Sequence, residues 1–177
     1  ANLVYLGLYA LQHRGQESSG IVANDKDKMN AEIGMGHVAD VYDSAKLKKL
    51  SGSHAIGHNR YSTTGDSQLA NAQPFLIRYA EGSLALAHNG NLVNADSLRA
   101  DLESAGSIFR STNDSEVIVH LVAQAKEGAF IDRIVQALKQ VKGAYSLLLM
   151  REDEIVAIRD PYGFRPLCLG KLDGGYI

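Results

Sequence analysis

Tryptophan is absent from this 177-residue chain, cysteine occurs once and proline three times. A lone cysteine, Cys168, cannot close an internal disulfide, which rules out a disulfide framework and fits a reducing compartment. So few prolines leave no Pro-rich linker, and no repeat or low-complexity tract marks an internal domain boundary. An excess of one charge is missing too, with 18 basic against 20 acidic side chains and a net charge of −2. Nucleic-acid phosphates are held by a basic footprint, so this balance argues against a nucleic-acid partner. Apolar runs stay short of the roughly 18 residues of a membrane span, and no signal-peptide pattern opens the chain. What is present is ordinary globular material, 45% hydrophobic and 21% charged. A chain of this length buries roughly 70% of its unfolded surface, so one domain needs no metal or disulfide staple.

Hydrophobic spacing gives the elements. Val4, Leu8 and Leu11 lie at i, i+4, i+7 and predict a packed helix over Leu3–Leu11. Gly20–Asn24 and Met29–Ile33 flank the polar Asp25–Lys28 turn and read as a hairpin, and Ser44–Leu50 is a short basic helix or turn. His54–Asn59 predicts a strand, followed by a polar stretch, Arg60–Pro74, too long for a simple connection and so a candidate functional loop. Phe75–Tyr79 and Ser83–His88 form a second hairpin. Helices are expected from Asn94 to Ala105, with Asn94 as N-cap, from Asp114 to Ala125, and from Ile131 to Val141. Three short strands close the chain at Tyr145–Met150, Ile155–Arg159 and Leu167–Leu169. Hairpins, then helices, then hairpins imply antiparallel sheets and an α+β class, not a doubly wound parallel sheet. Both ends read as cut, with the chain opening almost inside a helix and stopping at Tyr176-Ile177 where a strand starts.

Several patterns fail on context. Gly34-Met-Gly36-His-Val-Ala39 fits the dinucleotide fingerprint, yet no long crossover helix follows and His54 stands where an acid is required. His54 and His58 have zinc-chelating spacing only on a helix; on a strand they lie about 13 Å apart. Cys168, between Leu167 and Leu169, is expected as a buried strand residue.

Three other segments carry chemistry together. Arg60 heads Arg60-Tyr-Ser-Thr-Thr-Gly65 just past a strand, and its planar fork suits a carboxylate. Asp114 is by itself an ordinary helix N-cap. As a pair, Arg60 and Asp114 offer the cation and anion that an α-amino acid ligand needs. In Ala87-His-Asn-Gly-Asn91 the Asn89 amide and the Gly90 N–H can converge as two oxyanion donors, because Asn-Gly here leads into a helix rather than a hairpin partner.

Leu11-Gln-His-Arg-Gly-Gln-Glu-Ser18, Gly57-His-Asn-Arg-Tyr-Ser-Thr-Thr-Gly65, Asn71-Ala-Gln-Pro-Phe75, Leu86-Ala-His-Asn-Gly-Asn-Leu92 and Arg159-Asp-Pro-Tyr-Gly-Phe-Arg-Pro-Leu167 resemble the class II glutamine amidotransferases. With Asp114-Ser-Glu116 and Gly143-Ala-Tyr-Ser146, the resemblance covers nearly all of the chain. The His13–Glu17, Ala72–Phe75 and Asp160–Leu167 runs are most similar to the members that make phosphoribosylamine from phosphoribosyl pyrophosphate, the first committed step of purine synthesis.

The resemblance implies an N-terminal-nucleophile fold, a four-layer αββα sandwich with two antiparallel sheets, and one amidotransferase domain over 1–177. It implies that Arg60 holds the glutamine carboxylate and Asp114 its α-amine, with Thr63 and Arg14 nearby, and that Asn89 and Gly90 form the oxyanion hole. Glutamine is then the ligand, and a phosphoribosyltransferase domain beyond Ile177 is the partner that receives ammonia. Mg belongs with that second domain, and no cofactor is expected in this one. A cytoplasmic homo-oligomer without nucleic-acid or membrane contacts is expected. The family's nucleophile is an N-terminal cysteine whose α-amine serves as base. Residue 1 here is alanine, so that cysteine is expected upstream of the first helix, and the fragment alone is expected to be inactive. Two alternatives stay open: the same domain of another member such as hexosamine-phosphate synthase, and a non-catalytic glutamine-binding relic.

Overall fold

The computed structural model describes residues 1–26, 28–61 and 67–177. A three-stranded antiparallel sheet has the order β2-β1-β3, built from β1 (Ser18–Asp25), β2 (Lys28–Met35) and β3 (His54–Arg60). A four-stranded antiparallel sheet has the order β4-β5-β6-β7, from β4 (Phe75–Tyr79), β5 (Gly82–Leu92), β6 (Gly143–Met150) and β7 (Ile155–Arg159).

Strand alternation distributes the apolar side chains over three separate interfaces. Ile21 and Ala23 of β1 face outward and pack with Leu8 of α1 (Asn2–Ala10) and with Val38 and Val41 of α2 (Val38–Val41). Val22, one residue out of phase, joins Ile56, Ala85, Ala87 and Met150 between the two sheets. Leu84, Leu86, Leu147 and Leu149 face the other way, onto α4 (Ala95–Ser104), α5 (Glu116–Gln124) and α6 (Phe130–Leu138). A short α3 (Ser44–Lys49) is capped by Asp43, whose carboxylate accepts from the Lys46 amide at 2.7 Å. Helix, sheet, sheet, helix is the result, as expected. Small alanines at 85 and 87 let the sheets come close, since their twisted inner faces have to interdigitate.

Four expectations need correction. β5 does not stop at His88 but runs through Asn89 and Gly90 to Leu92, because β6 supplies partners as far as Gly143. Leu167–Leu169 forms no strand. The Asp160 carboxylate accepts from the amides of Tyr162 and Phe164 at 2.9 and 3.0 Å, turning the chain away from the sheet before it can pair. Cys168 is therefore exposed rather than buried, and only the pairs β8 (Lys171–Leu172) and β9 (Gly175–Tyr176) follow it. Asn94 stands at the N-cap of α4 without capping it. Its side chain bridges instead to the Gln140 carbonyl and the Lys142 amide, at 2.9 and 2.8 Å.

Candidate active site

A cleft of about 380 Å³ opens where β3 and β5 run past the core between the sheets. Its floor is the uncovered edge of β5. β4 pairs with β5 only up to Phe75 opposite Leu86, so the N–H groups of residues 88, 90 and 92 on that edge have no strand beside them. Two are taken by side chains: the His88 amide donates to Gln73 Oε1 and the Leu92 amide to Asp114 Oδ2, at 2.7 and 2.8 Å. The Gly90 amide between them has no hydrogen-bond partner among the described residues and opens on the cleft. Glycine is required there, because a Cβ would fall 1.9 Å from the Ala144 carbonyl oxygen. The Asn89 side chain is exposed in the same cleft.

Arg60 ends β3 at the opposite wall and is only 3% exposed. Its guanidinium pairs with Glu17, whose backbone amide in turn donates to the Arg60 carbonyl at 3.2 Å. Gly15 brings this segment in: a Cβ there would lie 2.7 Å from the Asn59 carbonyl carbon, so only glycine admits the approach. The preceding 3₁₀ turn, Gln12–Arg14, carries Arg14 to the rim of the cleft.

Asp114 lies just before α5 and turns its carboxylate inward. Besides Leu92, it has Ser115 Oγ at 3.2 Å and His88 Nδ1 at 3.8 Å. Ser115 Oγ lies 2.6 Å from the same His88 nitrogen and accepts from Gln73 Nε2 at 3.3 Å. Burial holds the His88 imidazole below its ordinary pKa, against the opposing pull of the Asp114 charge. His58 is pushed down to about 4, again chiefly by burial, so both imidazoles are neutral at pH 7.

Five residues singled out from sequence, Arg14, Arg60, Asn89, Gly90 and Asp114, line this one cleft, and Thr63 lies outside the described residues. Sequence reasoning missed the Glu17 partner of Arg60, the Gln73 and His58 contacts to the β5 edge, and Arg165, which reaches the cleft from beyond β7. None is signalled by local pattern, since each acts on residues far away in the chain. His54 and His58 share β3 four residues apart, and no metal-ligating cluster forms around them among the described residues.

An open β-edge donor, a buried arginine and an inward carboxylate thus line the same cleft. Residues 58–177 match the family model of the glutamine amidotransferase domain, and the chain belongs to that family. The similarity narrows further. The chain is 52% identical over its full length to amidophosphoribosyltransferase 2, chloroplastic, of Arabidopsis thaliana, covering 32% of that protein. It is 46% identical over 99% of its length to the amidophosphoribosyltransferase of Bacillus subtilis, covering 37% of it. It thus spans about a third of the length of these curated relatives. Among solved structures, glutamine phosphoribosylpyrophosphate amidotransferase from B. subtilis, complexed with ADP and GMP, matches 99% of this chain with a TM-score of 0.93 at 45% identity, over 38% of that chain. The N-terminal-nucleophile fold expected from sequence is borne out by this match. No helix among the described residues is long and apolar enough to cross a membrane.

Proposed function

We propose that this chain is the glutaminase part, over 1–177, of an amidophosphoribosyltransferase, releasing ammonia from glutamine for phosphoribosylamine synthesis. The carrying observation is the unpaired Gly90 N–H on the β5 edge, flanked by two amides that side chains have already taken. An oxyanion needs fixed donors that cost no reorganisation when charge develops, and a ladder-held strand supplies them. Glutamine lies with its α-carboxylate on Arg60, its α-amine on Asp114, and its side-chain carbonyl oxygen between Asn89 Nδ2 and the Gly90 amide. Arg14 and Thr63 complete the surround. A cysteine thiol preceding this chain attacks the amide carbon, its proton passes through the α-amine to the leaving nitrogen, and ammonia departs. Water then releases glutamate from the thioester. This half-reaction calls for no cofactor, and Mg belongs with the phosphoribosyltransferase domain that receives the ammonia. Assembly into a homo-oligomer and a cytoplasmic setting, or a plastid one as in the chloroplastic relatives, complete the proposal.

The test separates the two nitrogen sources in the full-length enzyme. Asn89→Ala should lower glutamine-dependent turnover roughly 10²–10³-fold, the usual loss for one oxyanion donor, with a smaller change in KM. Synthesis from added ammonia should persist. A loss confined to KM, with glutamine turnover intact, sinks the assignment.

A further inference from the structure

We infer that His58 and Gln73 are positioning residues, two side chains that together replace the missing neighbour strand of β5 and so hold the oxyanion donor in place. The inference rests on the reading of Gly90 and Asn89 given above.

In an antiparallel ladder, a residue on the edge presents its N–H and C=O to the same side, and a neighbouring strand satisfies both. β4 performs this for Leu86 through Phe75. At His88, one step on, the strand is gone but both groups remain held. The N–H donates to Gln73 Oε1 at 2.7 Å, and the C=O lies 3.0 Å from His58 Nε2. A carbonyl oxygen only accepts, so that nitrogen of His58 carries the proton and donates. Its neutral ring has one N–H to give, which leaves Nδ1 as a lone pair; this atom is enclosed and without a partner.

The two clamps come from different places. His58 sits on β3, in the sheet stacked against that of β5, on the same face as Ile56 of the inter-sheet core. Gln73 comes from the segment leading into β4, and its Nε2 donates to Ser115 Oγ at 3.3 Å, which ties it to the start of α5. His88 is thereby fixed to the opposite sheet, to the loop before β4 and, through its ring, to Ser115. Two residues further along the same edge, the Gly90 amide is left open for the substrate. An edge without a neighbour strand is free to bow and twist. Clamping it one residue pair before the donor fixes the donor's aim while leaving its partner position empty. The enclosed Nδ1 fits this purpose: a buried imidazole with one nitrogen unpaired is costly to keep unless the other nitrogen's bond matters.

The experiment uses the full-length enzyme with three reference points. His58→Leu and Gln73→Met should each lower glutamine kcat by roughly 10²-fold, the scale expected when a reacting group is displaced by about 1 Å. Glutamine KM should move far less, and ammonia-dependent synthesis should be retained. His58→Gln, which keeps an N–H donor at similar reach, should recover most of the loss. Asn89→Ala serves as the control for the underlying reading: if it leaves glutamine kcat untouched, the oxyanion assignment falls and this inference falls with it. If Asn89→Ala is severe while His58→Leu and Gln73→Met turn over glutamine normally, the positioning role alone is overturned. A loss with His58→Gln as deep as with leucine likewise overturns it. Equal losses of glutamine and ammonia activities, with a lowered melting temperature, assign His58 to folding instead.

Discussion

Arg60 and Asp114 illustrate what a single residue discloses. Arg60 is buried at a strand end against Glu17, and Asp114 turns its carboxylate from the helix start toward the Leu92 amide, so both hold their charges at the cleft. Arg60→Ala in the full-length enzyme should raise glutamine KM strongly and leave ammonia-dependent synthesis largely intact. Arg60→Lys should fall between, since an ammonium keeps the charge but loses the planar fork. Steady-state kinetics with both nitrogen sources checks this, and matched losses of the two activities would move Arg60 to a folding role. These residues were legible because arginine, aspartate and Asn-Gly carry their chemistry in their identity. Glu17 was not: nothing local distinguishes it from a surface acid, and its pairing with Arg60 exists only because Gly15 lets two distant segments touch. Gln73 and His58 were hidden for the same reason.

Elements were legible where periodicity is long and their ends were not. The α5 region shows why. Helix residues Val117, Ile118, Leu121 and Val122 announce themselves by spacing, and all are buried. Its start is set instead by Glu116, which receives the Arg110 and Ser111 amides, each at 2.8 Å, with His120 at 3.8 Å. Burial alone would raise the Glu116 pKa, but these partners and the Ser111 hydroxyl outweigh it and bring it down to about 2. A carboxylate lowered in the folded state contributes stability that is full above its unfolded value near 4.5, and that is lost as pH falls towards 2. Urea midpoints should therefore decline across that acid window. Glu116→Gln should flatten the decline and, at pH 7, cost about 1–3 kcal/mol by leaving a buried amide facing an NH₂ group. An unchanged acid slope in the variant would assign the pH dependence to other carboxylates. At β5 the local signal misled in the opposite sense: His88 marked the end of an apolar alternation, while the strand is continued by a partner, β6, more than fifty residues away.

At the scale of the whole molecule the cleft exists because two sheets stack with their inner rows leading from dry core to open edge. Ile56 and Ala87 lie in the core, with Arg60 and Asn89 further along the same faces. The groups proposed for binding and for the oxyanion converge in this way, but attack on an amide also needs an activated nucleophile about 3 Å from the carbon. The described residues offer none. Ser115 has a base beside it in His88, yet it is 0% exposed and already bonded to Gln73, so no substrate carbon reaches it. Tyr61 is an exposed phenol, with no base beside it among the described residues. Cys168 is exposed but lies outside the cleft, in the segment that follows the Asp160 turn. A polypeptide of Ala1–Ile177 alone should therefore bind glutamine without releasing ammonia. Incubation with glutamine and an ammonia assay should give no signal above buffer, while isothermal titration detects binding that Asp114→Asn weakens. A glutamine-analogue alkylator should leave Cys168 no more modified than iodoacetamide does. Steady ammonia release, or analogue labelling of Cys168 that glutamine protects, would mean that the nucleophile lies within these residues after all.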